Sequence, residues 1–316
     1  MTSQVETMQT TPDARAERYR AAERRYWESQ GLQPIDHQIR VGSSGSVRVQ
    51  EIGAGPAVIF VHGTGGSGAY FAPLLASLTG IRALVVDRPG WTSSSMVDFR
   101  ARPYRDIIGS VLDAVLDGSG LDRAHLVGAS IGDLWAVRYA LDHPDRVHGV
   151  VLLGGGPISE EIQVPTFIRL LRSPLGQLII RLPERDGMFR KQLAGMGHAA
   201  SLEAGRITPD YIAWHGAMNR DTDWGKNERS MVQAIVSRHG FVDGLVPTAA
   251  EIGTLRAPVR MIVGSEDPVG DVDIWGRFVG RMPDARLEVI EGGGHLVWLD
   301  DPSGVAARIN AAVAGD

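Results

Sequence analysis

The sequence predicts an α/β protein: a mostly parallel, doubly wound sheet of eight strands, with a helical cap inserted after the sixth. Three observations predict it. Short apolar runs rich in β-branched residues recur at 57–63 (AVIFVHG), 82–87 (RALVVD), 124–130 (AHLVGAS) and 147–155 (VHGVVLLGG), the near-continuous patterning of strands buried on both faces. Helical text separates them. After residue 157 the strand rhythm stops until 258 and amphipathic helical text replaces it, so a single domain is interrupted by an insertion.

Taken in order, the first ten residues look disordered, and residues 12–30 form a charged helix with Tyr19, Ala22, Tyr26 and Trp27 on one stripe. Such a stripe docks on the body of the protein or on a partner. Two alternating strands follow near 37–42 and 46–52, then the four buried strands with helices over 68–79, 103–117 and 131–142 between them. The last two strands are expected at 258–264 (PVRMIVG) and 286–295 (RLEVIEGGGH), with a helix between and a closing helix behind. These boundaries divide the chain into an N-terminal extension (1–36), a core (37–157 and 251–316) and a cap (158–250).

Composition excludes several classes of function. A formal net charge of −5 with 32 Lys and Arg provides no basic footprint for nucleic acid. The absence of cysteine removes disulfides, thiolate metal sites and cysteine nucleophiles together. The N-terminus is acidic and polar where a signal peptide would be basic and then apolar, and no apolar run approaches the ~18 residues of a bilayer span. A soluble, cytoplasmic protein is expected. Its partners would be a small-molecule substrate and at most a second copy of the chain, with no membrane and no nucleic acid.

The chemistry begins at residues 125–135, HLVGASIGDLW. Gly128-Ala129-Ser130-Ile131-Gly132 fits G-x-S-x-G at a strand-to-helix turn, where strained backbone lifts a serine hydroxyl above the sheet and the glycines avoid the clash of a Cβ. The competing reading is a serine helix cap with glycines for packing. A weak alcohol nucleophile needs a base and an orienting acid at the ends of later strands. His295 follows the last strand in EGGGH, and Asp267 follows the preceding one in VGSEDPVG. The glycine-rich segment 61–68, VHGTGGSG, can turn backbone N–H groups toward a developing oxyanion, with Thr64 and Ile131 the expected donors. A phosphate cradle is the alternative, but no lysine follows the glycines as a P-loop requires. No cofactor motif is present, and histidines 125, 143, 148, 198, 215 and 239 show no metal-ligand spacing on a shared helix face.

On these four motifs, His62-Gly63, Gly128 to Gly132, Asp267 and His295, the chain resembles the α/β-hydrolase superfamily, in particular its capped, esterase-like and C–C-hydrolase-like members. The segment DRPGWTSSS at 87–95 resembles the family's D-x-x-G loop. The resemblance implies an α/β-hydrolase fold and a serine nucleophile, Ser130, with His295 as base and Asp267 as the acid that holds it. A serine at the elbow argues against the dehalogenase and epoxide hydrolase branches, which place aspartate there.

Asp133, three residues after the nucleophile, departs from the small residue usual in relatives. One reading is a first-turn carboxylate favoured by the helix dipole in an S-x-x-D cap; the other is a negative charge that weakens the oxyanion site or biases His295. Glu266 rivals Asp267 as the acid, and His62 is expected to prop the oxyanion loop. The stretch 167–182, FIRLLRSPLGQLIIRL, could touch lipid, but Ser173-Pro174 and its recurring arginines favour two short cap helices. The substrate pocket is expected from Trp214 and Met218 of the cap with Trp91 and Trp298 of the core loops. The expected function is cofactor-independent hydrolysis of an ester, thioester or lactone of a moderately apolar molecule through an acyl-enzyme. C–C bond hydrolysis, acyl transfer, a lyase step or ligand reception are the alternatives. Activity should fall as pH drops through the ordinary imidazole range, because the base must be neutral.

Overall fold

The computed structural model describes residues 14–43, 45–95, 97–179 and 186–315, so the disorder expected over the first ten residues falls outside it. In chain order the elements are α1 (Ala14–Ser29), β1 (Ile35–Arg40), β2 (Ser46–Gly53), β3 (Ala57–Val61), α2 (Ala72–Leu75), β4 (Arg82–Val86), α3 (Tyr104–Gly118), β5 (Ala124–Ala129), α4 (Ile131–Asp142) and β6 (Val147–Leu153). Then come α5 (Thr166–Arg172), α6 (Pro174–Ile179), α7 (Asp186–Leu193), α8 (Ala199–Glu203), α9 (Pro209–Asp221), α10 (Trp224–Ile235) and α11 (Ala249–Ile252). The chain closes with β7 (Val259–Gly264), α12 (Val272–Val279), β8 (Ala285–Ile290), α13 (Val297–Asp300) and α14 (Pro302–Ala314).

The eight strands form one sheet in the order β1-β2-β4-β3-β5-β6-β7-β8. β1 and β2 run antiparallel at one edge, and all pairings from β4 to β8 are parallel. The chain leaves β3 toward β4 on one side and returns to β5 on the other, which opens the crevice at the carboxyl ends of β3 and β5 where such sheets bind ligands. The parallel strands are apolar on both faces because helices cover both. Val58, Ile59, Phe60 and Val61 are all buried, as are Leu126 and Val127.

Several predicted boundaries move. The last strand ends at Ile290 rather than 295, because Gly292 sits at φ 69° and Gly293 N donates to Ile290 O at 3.0 Å. The sixth ends at Leu153, because Gly154 and Gly155 turn at φ 77° and 70°. The helix expected over 68–79 is only a 3-10 turn, Gly68–Phe71, followed by one α-turn. The amide of Gly68 is taken by Asp87 Oδ1 at 2.7 Å, which ties this segment to the loop after β4.

The apolar stripe of α1 faces the body of the protein. Tyr26 stacks on Trp214 of α9 with ring centroids 5.3 Å apart, and Trp27 is buried beside it. Glu23 lies on the same face and is buried too, satisfied by Arg48 at 2.7 Å, whose guanidinium also reaches Asp36 and Asp87. An unpaired carboxylate there would cost several kcal/mol, so this ion cluster permits the helix to dock with a charge on its buried side. In the insertion, Ser173 separates α5 from α6 as the turn signal predicted.

Candidate active site

Ser130 stands at the junction of β5 and α4 with φ 55° and ψ −115°, a conformation that costs a non-glycine residue on the order of 1–3 kcal/mol. The flanking glycines permit it. A Cβ on Gly128 would lie 2.4 Å from Gly132 O, and one on Gly132 would lie 2.0 Å from Val61 O. Ser130 is the N-cap residue of α4, yet its side chain makes no capping hydrogen bond, so the helix-cap reading of this serine is overturned.

His295 and Asp267 meet across the loops after β8 and β7. His295 Nδ1 lies 2.8 Å from Asp267 Oδ2, and both residues are buried. Asp267 Oδ1 accepts from Val269 N at 2.8 Å, so both carboxylate oxygens are bound. Glu266 is exposed and contributes its backbone N–H to Gly293 O. The strip that follows β6 links this pair to the elbow: a Cβ on Gly156 would lie 1.9 Å from Ser130 O, and one on Gly154 would lie 2.0 Å from His295 O. The backbones of Ser130 and His295 thus lie against residues 156 and 154, where only glycine fits.

The segment after β3 lies over the elbow, with a Cβ on Gly63 reaching within 3.1 Å of Ser130 Cβ. Ile131 is the first residue of α4, so its N–H has no acceptor within the helix. His62 lies beneath this segment. Its Nε2 accepts from Arg88 N at 3.1 Å, which leaves Nδ1–H to donate to Gly63 O at 2.9 Å. Burial, reinforced by the Arg88 charge, pushes its pKa well below the usual imidazole value, so a neutral ring props the loop.

Arg88 itself is fully buried. It donates to Gly63 O at 2.9 Å, lies 4.2 Å over the Trp91 ring and faces Glu228 of α10 at 3.8 Å. Burial pushes the Glu228 carboxyl up, against the opposing pull of Arg88, Gly65 N–H and Thr64 hydroxyl. The insertion therefore places an acidic side chain directly on residues 64 and 65 of the loop after β3, a feature that no sequence motif announces.

Asp133 lies in the first turn of α4, as one of its sequence readings expects. It forms no cap; it is fully buried and its Oδ1 accepts from Leu153 N at 3.1 Å, at the end of β6. Burial raises its pKa well above the usual carboxylate value, and the Asp267 charge raises it further.

The four expected pocket residues are all buried in packing contacts. Trp298 is buried under Tyr70 and Phe71 and donates its indole N–H to Tyr70 O at 2.9 Å. Trp214 is sandwiched in the α1–α9 contact, Met218 packs in the same cluster, and Trp91 holds Arg88. The aromatic area of the three tryptophans joins layers of the fold.

A parallel eight-stranded core with a serine at the elbow defines a class, and the chain belongs to the alpha/beta hydrolase family, whose model matches residues 58–308. Among curated relatives, it is 26% identical to a 2-hydroxy-6-oxononadienedioate/2-hydroxy-6-oxononatrienedioate hydrolase of Cupriavidus pinatubonensis, covering 79% of this chain and 84% of that one. It is 25% identical to a 2-hydroxy-6-oxo-6-phenylhexa-2,4-dienoate hydrolase of Burkholderia cepacia, with the same coverage. Among solved structures, naproxen esterase of Bacillus subtilis superposes with a TM-score of 0.73 at 20% identity, over 95% of this chain and 99% of that one. A meta-cleavage product hydrolase of Pseudomonas fluorescens gives 0.71 at 18%, over 88% and 97%. The protein is a hydrolase of this family. No described helix is long and apolar enough to cross a membrane.

Proposed function

We propose that the protein hydrolyses a carboxylic ester or lactone of a neutral, apolar small molecule, with Ser130 as nucleophile, His295 as base and Asp267 as its orienting acid. The observation that supports this most directly is the 2.8 Å contact between His295 Nδ1 and the buried Asp267 Oδ2, on the loops that flank the strained elbow. In this reading Ser130 Oγ attacks the acyl carbon as His295 takes its proton. The N–H groups of Thr64 and Ile131 receive the oxyanion. His295 then returns the proton to the leaving alkoxide, and water repeats the sequence on the acyl-enzyme.

The charge of the substrate follows from the cap side of the site. Arg88 is committed to Gly63 O and Trp91 and faces Glu228, so the charges against the oxyanion loop favour a neutral acyl group over a carboxylate. A second reading, cleavage of a C–C bond in an oxo-dienoic acid, rests on the names of the curated relatives.

Intact-protein mass spectrometry with a small fluorophosphonate tests the shared chemistry. One adduct, absent in Ser130→Ala, is expected, and no adduct in the wild type would move a non-catalytic receptor ahead. Turnover of p-nitrophenyl butyrate against 2-hydroxy-6-oxo-6-phenylhexa-2,4-dienoate then separates the readings, with the ester expected to be the faster substrate.

A further inference from the structure

The backbone that carries His295 is held from outside the core, by one turn of the insertion. Residues Ala194–His198 form a π-turn in which Gly197 takes φ 90°. The carbonyl of Met196 accepts from His295 N at 2.9 Å, and Nε2 of His198 accepts from Leu296 N at 3.1 Å. Since a backbone N–H can only donate, Nε2 carries the lone pair and the proton is on Nδ1. That Nδ1–H points at Asp300, 2.9 Å from Oδ2 and 3.1 Å from Oδ1.

Asp300 completes the clamp. Its Oδ2 also accepts from Gly294 N at 2.8 Å and its Oδ1 from the Ser201 hydroxyl. Burial alone would raise the Asp300 carboxyl, but the donors from His198, Ser201 and Gly294 outweigh it and hold the group below the usual carboxylate range. Three successive amides, Gly294, His295 and Leu296, are thus each tied to the insertion or to a carboxylate that the insertion orders. The contact leaves no slack: a Cβ on Gly294 would lie 2.4 Å from Met196 O and 2.7 Å from His198 Cε1, and one on Gly197 would lie 2.5 Å from Glu266 O. One turn therefore abuts both the loop of the base and the loop of the acid.

We propose that His198 is a positioning residue for the base: through Leu296 N–H and Asp300 it sets the backbone on which the His295 ring meets Asp267. The inference rests on the serine-hydrolase reading above. His198 has the geometry of a structural pin, with a side chain that is fully buried. A displacement of about 1 Å at the reacting groups can cost about 100-fold in rate, which is the leverage such a pin has.

Two substitutions divide its bonds. In His198→Gln the side-chain carbonyl reaches the place of Nε2 and keeps the acceptor for Leu296 N–H. In His198→Asn the amide reaches the place of Nδ1, keeps Asp300 and leaves Leu296 N–H unpaired. The fluorophosphonate labelling rate, and kcat for p-nitrophenyl butyrate at unchanged KM, should fall roughly 10- to 100-fold in the Asn variant and recover to within about threefold in the Gln variant. Asn labelling at the wild-type rate overturns the proposal, as do rates that fall equally in both variants in step with the melting temperature. If the wild type is not labelled, the hydrolase reading fails by itself. Amide exchange over residues 292–299 then decides the positioning role: faster exchange in Asn but not in Gln supports it, and equal exchange overturns it. Should the Asn variant not fold, Asp300→Asn loosens the same clamp from the other side and is expected to slow labelling likewise.

Discussion

Asp267 Oδ2 lies 2.8 Å from His295 Nδ1, while its neighbour Glu266 is turned outward to solvent. An acid that only fixes the tautomer and stabilises the imidazolium can be replaced by an amide without disturbing the fold, yet the wrong tautomer results. Asp267→Asn should lower kcat on a chromogenic ester by about 10⁴-fold, whereas Glu266→Gln should stay within about twofold. Equal losses in the two variants would refute the assignment of the acid.

Asp133 is expected to act on stability rather than on turnover. With its folded pKa raised by burial, the native state holds a proton that the unfolded state releases above the ordinary carboxylate range. The proton-linked stability is therefore complete at acid pH and declines as pH rises. Asp133→Asn, which mimics the neutral carboxyl, should keep activity and should gain melting temperature over the wild type progressively from about pH 4 upward. Asp133→Gly removes the acceptor of Leu153 N–H and should cost about 1–3 kcal/mol in urea unfolding.

Glu251 has the opposite sign. Its carboxyl is pulled down to about 2 chiefly by the hydrogen bonds from Arg138, a fully buried guanidinium that it meets at 2.6 and 3.2 Å. The stability it contributes is present above the unfolded carboxylate pKa and is lost as pH falls toward 2. Thermal melts from pH 5 to pH 2 should show a shallower decline for Glu251→Gln than for the wild type. At pH 7 the variant should be weaker by on the order of 1–3 kcal/mol, because Arg138 loses its counter-charge.

Glycine replacement separates the elbow from ordinary helix. Gly132→Ala drives a Cβ to 2.0 Å from Val61 O and should abolish labelling of Ser130. Gly276 lies inside α12 with nothing within 4 Å of an added Cβ, so Gly276→Ala should stabilise by about 0.4–1 kcal/mol with activity unchanged. Denaturant midpoints and adduct yields on the two variants check both outcomes.

Local chemistry made much of the fold legible. Strands buried on both faces have continuous apolar runs, and the elbow carries its own signature because only glycine tolerates the backbone approaches on either side of Ser130. The expected strand ends run past Gly154 and Gly292, where positive φ turns the backbone, a change of conformation that hydrophobicity does not encode. Glu23 on the aromatic face of α1 was a signal of a buried partner, but nothing near it in sequence pointed to Arg48.

The sequence by itself determined the class of fold, the strained serine and the order in which Ser130, Asp267 and His295 follow along the chain. Those features are written in residues close together, whose spacing maps onto strand, turn and helix. Tertiary structure alone decided that Asp267 rather than Glu266 faces His295 and that Asp133 is buried against the end of β6. It also directed the tryptophans into packing, and brought His198 and Glu228 from the insertion onto the loops that carry His295 and residues 64–65. Each of these depends on which distant side chains share a desolvated space, and burial and pairing across the sheet are set only when the layers close.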